Sequence, residues 1–206
     1  MSMSEFLPMI LEDVPDTRLP VPDEISYYKL EKERMYFMDY DVDEPCMELE
    51  RMIIRWNMED KGKPVEERKP IRIFIHSSGG YAYYTWSLVD TMLMSTTPIY
   101  TINVGYAMSA AGLIFLAGHK RFMFPRSKVL IHQGQNKIEG DAQKVMDQTA
   151  AYKKGLKEMQ DYILSRTAIP AATLTKKKNN DWEIDAQFCL DNKVCHAIIH
   201  NLDEVL

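Results

Sequence analysis

The stretch from Tyr100 to Leu116 constrains the fold of this chain more than any other. Ile99 to Val104 is an apolar run rich in β-branched residues, the pattern of a buried strand. Gly105 breaks that run, and the small residues Ala107, Ser109, Ala110, Ala111 and Gly112 follow. Leu113 to Leu116 then continue at a pitch that suits a buried helix, which Gly118 can close. A serine at such a strand-to-helix turn sits at the positive end of the helix macrodipole, beside backbone N–H groups without intrahelical acceptors. A serine nucleophile and an oxyanion hole can be built together there. The same small residues also suit a core helix that needs only close packing, and this stretch alone leaves both readings open.

Composition narrows the setting. With 206 residues, 46% of them hydrophobic and 27% charged, the chain is expected to be globular and soluble. A net charge of -5 argues against a nucleic-acid surface, and the basic run Lys176 to Lys178 is too short to reverse that. No window approaches the roughly 18 apolar residues that span a bilayer. The N-terminus has no basic segment and carries Glu5 early, so a cytoplasmic location is expected. Cys46, Cys189 and Cys195 form no metal-spacing motif and read as a reduced thiol set.

Ser4 to Glu24 holds four of the ten prolines and reads as an extended arm with an apolar patch from Phe6 to Leu11. Such a patch usually docks on something. The expected organisation is an arm over 1–24 and a single domain over 25–206. Arg34 to Met38 reads as a short strand. Asp43 offers an N-cap, and Met47, Met52, Ile53 and Trp56 then mark an amphipathic helix. Glu59 to Lys69 reads as a surface loop. Ile71 to Ile75 is a strand running into His76-Ser77-Ser78-Gly79-Gly80, followed by a helix over Tyr81 to Met94 with Trp86, Val89 and Leu93 on one face. Phe122 to Phe124 and Val129 to Ile131 are further strands. A long helix over Asp141 to Arg166 carries Val145, Tyr152, Leu156, Met159 and Ile163 as an apolar stripe. Part of that stripe is expected to face another subunit. Strand–helix alternation implies an α/β fold with mostly parallel strands.

A serine at an elbow needs a base and an orienting acid from elsewhere. His119, His196 and His200 read as surface or partly packed residues, and His76 has no independent support. His132 ends the strand Val129–Ile131 and precedes Gln133-Gly134, a position that suits a base held on rigid backbone. The glycines of Ser77-Ser78-Gly79-Gly80 let backbone N–H groups approach a ligand, and with the N–H of Ala110 they can complete an oxyanion hole.

In this order the pieces resemble the Clp-type proteolytic subunit, a serine peptidase family that forms barrel-shaped chambers. Gly105-Tyr106-Ala107-Met108-Ser109-Ala110-Ala111-Gly112 is similar to the family's G-x-A-A-S-M-G-A. His76 to Gly80 matches N-S-P-G-G, and Leu130-Ile131-His132-Gln133-Gly134 matches M-I-H-Q-P. Asp90-Thr91-Met92, Ala117-Gly118-His119-Lys120-Arg121 and Leu30 to Arg34 fit D-T-M, A-G-x-K-R and L-L-K-E-R. The resemblance covers nearly the whole chain. It implies the Clp/crotonase-type α/β fold of repeated β-β-α units with a long protruding handle helix, here about 141–166. It makes Ser109, His132 and Asp181 the catalytic set, Gly80 and Ala110 the oxyanion donors, and Gly79, Tyr81, Gln133 and Gly134 substrate-binding. Asp185 competes with Asp181 for the acid, but it falls on the family's Ser/Thr position and suits a helix N-cap.

The resemblance further implies seven-membered rings stacked as a tetradecamer, the arm at the axial entrance, and a hexameric ATP-dependent AAA+ unfoldase that feeds protein substrate. No cofactor, metal, nucleic acid or membrane is expected for this chain, since ATP is used by the partner. A non-catalytic chamber subunit, a phage-type capsid maturation protease and a crotonase-like acyl-CoA enzyme are the alternatives. Ser78 replaces the proline of the glycine turn and Met108 a small residue. Tyr83, Tyr84 and Trp86 replace smaller side chains, and Lys193 replaces a glycine.

Overall fold

The computed structural model describes residues 22–134, 137–177 and 180–206. The apolar patch from Phe6 to Leu11, with most of the expected arm, lies outside the described residues, as does Lys178. The chain divides into two compact units, Met1–Glu33 and Arg34–Leu206. In the first, helix α1 runs Pro22–Lys32, so 22–24, expected to be extended, are helical. Lys32 Nζ stands 4.6 Å from the Tyr28 ring centroid one turn back.

In the second unit strands and helices alternate: β1 (Met35–Met38), α2 (Cys46–Glu59), β2 (Ile71–Ser77), α3 (Ala82–Met94), β3 (Ile99–Met108), α4 (Ala110–Ala117) and β4 (Lys120–Met123). Then come β5 (Lys128–Ile131), α5 (Ala142–Arg166), α6 (Ala171–Lys177), β6 (Trp182–Asp185), α7 (Ala186–Asp191) and β7 (Ala197–Ile198). The sheet runs β1-β2-β3-β4-β7, with β5 pairing to both β3 and β6. All its pairings are parallel except β5–β6. The expected α/β fold and its long helix are therefore present.

Gly105 does not break the central strand, which continues to Met108. Its first half pairs Tyr100–Asn103 with Lys120–Met123, and its second pairs Tyr106–Met108 with Lys128–Leu130. Alternation sorts side chains between two cores. Ile71, Ile73 and Ile75 join the larger core with Leu49, Ile53, Leu88, Met92, Ile114 and Phe115. Phe74 joins Ile102, Ile199 and Val205 on the other face.

Helix phases differ in detail from the sequence reading. Cys46, Leu49, Met52, Ile53 and Trp56 form the inward stripe of α2, while Met47 is exposed. The helix is capped at Pro45 without a side-chain bond, and the Asp43 carbonyl accepts from Cys46 N–H at 3.0 Å. Asp43 is therefore a turn residue rather than the cap. On α3 the buried positions are Thr85, Leu88, Val89 and Met92. Leu93 is exposed, and Trp86 is half-buried against the Tyr162 ring. Lys193, where the family has glycine, keeps φ at +54°, the left-handed region that explains the glycine preference.

Two buried polar clusters tie these elements together. Asp60, expected on a surface loop, is 1% exposed. It accepts from Arg34 Nη2 at 3.1 Å, Lys63 Nζ at 2.9 Å and Thr97 Oγ1 at 2.9 Å, and Arg34 also donates to the Lys69 carbonyl at 3.0 Å. These contacts join the residue before β1 to the end of α2 and the approach to β3. Buried Arg121 donates to the Val194, Lys193, Arg166 and Gly118 carbonyls. His119 Nδ1 accepts from Ile99 N–H and His196 Nδ1 from Arg121 N–H, each at 2.9 Å. Partial desolvation of the rings and the nearby Arg166 charge lower the pKa of both imidazoles, and they act as neutral structural acceptors.

Arg34→Met is expected to destabilise the protein by about 1–3 kcal/mol, because it removes one charged partner of the buried Asp60 carboxylate while Lys63 and Thr97 remain; urea denaturation measures this. The hydrogen bond from Arg34, helped by Lys63 and Thr97, holds the Asp60 carboxyl far below its ordinary range against the opposing effect of burial. A lowered folded pKa stabilises above the unfolded value of about 4, and that contribution disappears as pH falls through the folded value. The difference between wild type and Arg34→Met is therefore expected to shrink on acidification below about pH 4.

Candidate active site

Strand register brings the three singled-out side chains together. β3 and β5 are parallel with Met108 opposite Leu130, and Ser109 N–H donates to the Leu130 carbonyl at 2.9 Å. β5 and β6 are antiparallel with Ile131 opposite Trp182. One step further in that register, His132 faces Asp181. Ser109 Oγ lies 2.6 Å from His132 Nε2, and His132 Nδ1 lies 3.1 Å from Asp181 Oδ1. With the Nδ1 proton directed at the carboxylate, Nε2 is left to accept the serine proton.

The competitor for the acid has other work. Asp185 pairs with Lys128 at the far end of the β5–β6 ladder, about 14 Å along the strand from Asp181 at ~3.4 Å per residue. Its side chain accepts from Phe188 N–H at 2.8 Å and caps α7. Of the two, Asp181 stands beside the imidazole.

Ser109 occupies φ +52°, ψ −120°, between the end of β3 and the first turn of α4. A residue with a Cβ adopts that conformation at a cost of about 1–3 kcal/mol, and it lifts the hydroxyl out of the strand–helix corner. Ala110 opens the helix, where amides lack intrahelical acceptors. Beside it, Val42 bridges the glycine turn: Val42 N–H donates to Gly79 O at 2.7 Å and Tyr81 N–H to Val42 O at 2.8 Å. In such a parallel bridge Gly80's own N–H points away from Val42, and Gly80 lines the same cavity as Ser109 and Ala110. A Cβ on Gly79 would stand 2.6 Å from the Met108 carbonyl oxygen, and one on Gly80 2.3 Å from that of Val42. Glycine is therefore required at both.

Gly79 packs behind the cavity wall and is not part of its lining, whereas Tyr81, Gln133 and Gly134 are. Ser78, in place of proline, has its hydroxyl bonded to Asp41 Oδ1, which ties down the turn. Tyr83, Tyr84 and Trp86 line no part of the cavity, so their bulk falls elsewhere. His76 packs on the Tyr106 ring at 4.0 Å, away from the serine.

The cavity beside Ser109 measures about 400 Å³. Its walls include Leu113 and Leu116 of α4, Ile131 of β5, and Tyr152, Met159 and Ile163 of α5. Apart from His132 no lining residue is ionisable at neutral pH, so the cavity suits an uncharged side chain. The α5 stripe was visible in the sequence, but its periodicity carried no sign that the same residues wall the site. Among the described residues no cluster of three His, Cys, Asp or Glu could hold a metal, and no helix is long and apolar enough to cross a membrane.

A parallel α/β sheet that presents Ser, His and Asp from adjoining strand ends has the architecture of a serine hydrolase. The particular family follows from comparison: the profile described as Clp protease matches residues 26–201, and the chain belongs to that family. The ATP-dependent Clp protease proteolytic subunit 1 of Rhodopirellula baltica is 31% identical over 122 residues, 58% of this chain and 54% of its own length. Proteolytic subunit 2 of Treponema pallidum is 30% identical over 138 residues, covering 66% and 67%. The proteolytic subunit of Pleurastrum terricola is 26% identical over 183 residues, covering 84% and 90%. The family's members are serine peptidases.

The two aspartates separate by stability. Asp185→Ala is expected to cost about 1 kcal/mol through loss of the cap, whereas Asp181→Ala, at a side chain 76% exposed, should stay within about 0.5 kcal/mol of wild type. Chemical denaturation of both variants makes the comparison.

Proposed function

We propose that this chain is the proteolytic subunit of a Clp-type protease, a serine endopeptidase that cleaves unfolded polypeptides. The observation that carries this reading is the 2.6 Å approach of Ser109 Oγ to His132 Nε2 at a strained elbow, with Asp181 on the far nitrogen. Ser109 Oγ attacks the scissile carbonyl carbon as its proton passes to His132 Nε2. The tetrahedral oxyanion takes hydrogen bonds from the N–H groups of Gly80 and Ala110. Collapse breaks the C–N bond, and the departing amine receives the proton from His132, leaving an acyl-serine. Water, deprotonated by the same imidazole, then releases the acid product and restores the serine hydroxyl. Asp181 holds the tautomer and stabilises the imidazolium.

The partner reading follows family membership. Subunits of this kind assemble as stacked seven-membered rings enclosing the active serines, in the cytoplasm, and an ATP-dependent unfoldase delivers the substrate. Access is then the filter, since a folded protein must first lose about 5–15 kcal/mol of stability.

A fluorophosphonate should label wild type on Ser109, and Ser109→Ala should abolish both labelling and peptide turnover without disturbing assembly. Unlabelled wild-type protein would sink the assignment. His132→Ala and Asp181→Asn should each lower kcat by about 10⁴-fold, and the double variant should lose little more, because the groups act as one unit.

Short peptides should be cleaved by the protein alone, and a stable folded protein only after an unfoldase and ATP are added. Efficient unaided digestion of the folded protein, followed on a denaturing gel, would contradict the closed-chamber reading.

A further inference from the structure

Helix α5 supplies one whole wall of the cavity, and its three contributions differ in kind. Ile163 is wholly buried at the deep end, Met159 is half-buried one turn back, and Tyr152 is half-buried two further turns toward the N-terminus. At ~1.5 Å per residue, Tyr152 stands about 10 Å from Met159 along the helix. It is at the end of the cavity occupied by His132, because its hydroxyl reaches the carbonyl oxygens of Gln133 and Gly134, 3.4 Å from each. The Tyr152 side chain therefore borders the end of the cavity where His132 stands.

We propose that Tyr152 sets the specificity of this pocket: its ring limits the side chain that can enter, and its hydroxyl positions the backbone that follows His132. This rests on the serine-peptidase reading for the identity of the occupant, the residue whose carbonyl is attacked. The physical ground is the division of labour along the wall. Leu116, Ile131 and Ile163 are core residues as well as lining, so their shape is bound to the packing of the sheet. Tyr152 is outside that core, joins a polar tip to an apolar body, and is the only α5 lining residue bonded to the segment after the base. The ring bounds volume; the hydroxyl bridges the helix to the Gln133–Gly134 backbone through two long contacts. The first governs which side chain fits, and the second governs how well any peptide binds.

The two roles separate in variants of the full-length protein carrying Ser109→Ala, with binding as the readout and no turnover required. The probes are acetylated tetrapeptides that differ only in the last residue, ending in Ala, Leu, Phe or Trp, titrated calorimetrically. Tyr152→Ala should tighten the Phe- and Trp-ended peptides relative to the Ala-ended one by 10-fold or more, the range expected when an apolar pocket gains or loses a group. Tyr152→Phe, which keeps the ring, should weaken all four by a similar few-fold factor and leave their order unchanged. The inference is overturned if both variants bind the series with the parent's Kd values. Failure of the serine-peptidase reading would show instead as absence of fluorophosphonate labelling in protein that retains Ser109, a result independent of these Kd values.

Discussion

Strand β3 serves β4 along its first half and β5 along its second, and the geometry of the candidate site depends on that division. A strand that ended with its first partner would stop near Asn103 and present its turn among core residues. Because it continues, Ser109 emerges level with the end of β5, and the hydrogen bond from its amide to Leu130 fixes the two chains there. β6 then adds antiparallel to β5, which turns the end of one strand to face the start of the next. The resulting order, Ser109, His132, Asp181, needs no flexible loop to bring the groups together. Backbone ladders set the distances, and side-chain rotamers only complete them.

The ladders are steadied by buried polar groups remote from the serine. Arg34 and Asp60 close the α2 side of the sheet, while Arg121 gathers carbonyls from α4, α5 and the segment before β7. Each arginine satisfies several acceptors at once, which a planar guanidinium does well and an apolar residue cannot. Their value lies in forbidding alternatives: a shift of either strand edge would leave charge or carbonyl groups buried without partners. The strained Ser109 backbone persists because this surrounding framework over-determines it.

The long helix α5 joins this framework at one end. Only Ile163 of its apolar stripe is fully buried, Met159, Leu156, Tyr152 and Val145 are half-buried, and Asp141 caps the helix through Lys144 N–H. The helix is thus anchored beside α4 and projects past the cavity, so one element supplies both a core contact and a wall of the pocket.

Much of this was legible in the amino-acid order. Period-two and helical patterns marked β2, β3, α4 and α5, and local chemistry marked the serine elbow, the glycine turn and the strand-end histidine. These are short-range properties, set by backbone sterics and by side chains a few residues apart. Helix phase was less legible where large apolar residues occur all round, as on α3, where Leu93 is exposed and Leu88 is buried. Charge in a polar stretch reads as surface; the burial of Asp60 depends on Arg34, 26 residues earlier, and no local pattern records that pairing. The resemblance favours Asp181 over Asp185, but which carboxylate stands beside His132 follows from the β5–β6 register, since both are aspartates near one short strand. The residues that wall the cavity come from α3, α4, β5 and α5, and sequence periodicity shows only that each has an apolar face. Sequence by itself determined the main strands and helices from β1 through α5, and the chemically able residues. Tertiary structure decided which of them meet, because contacts between distant segments are set by packing and register and not by local preference.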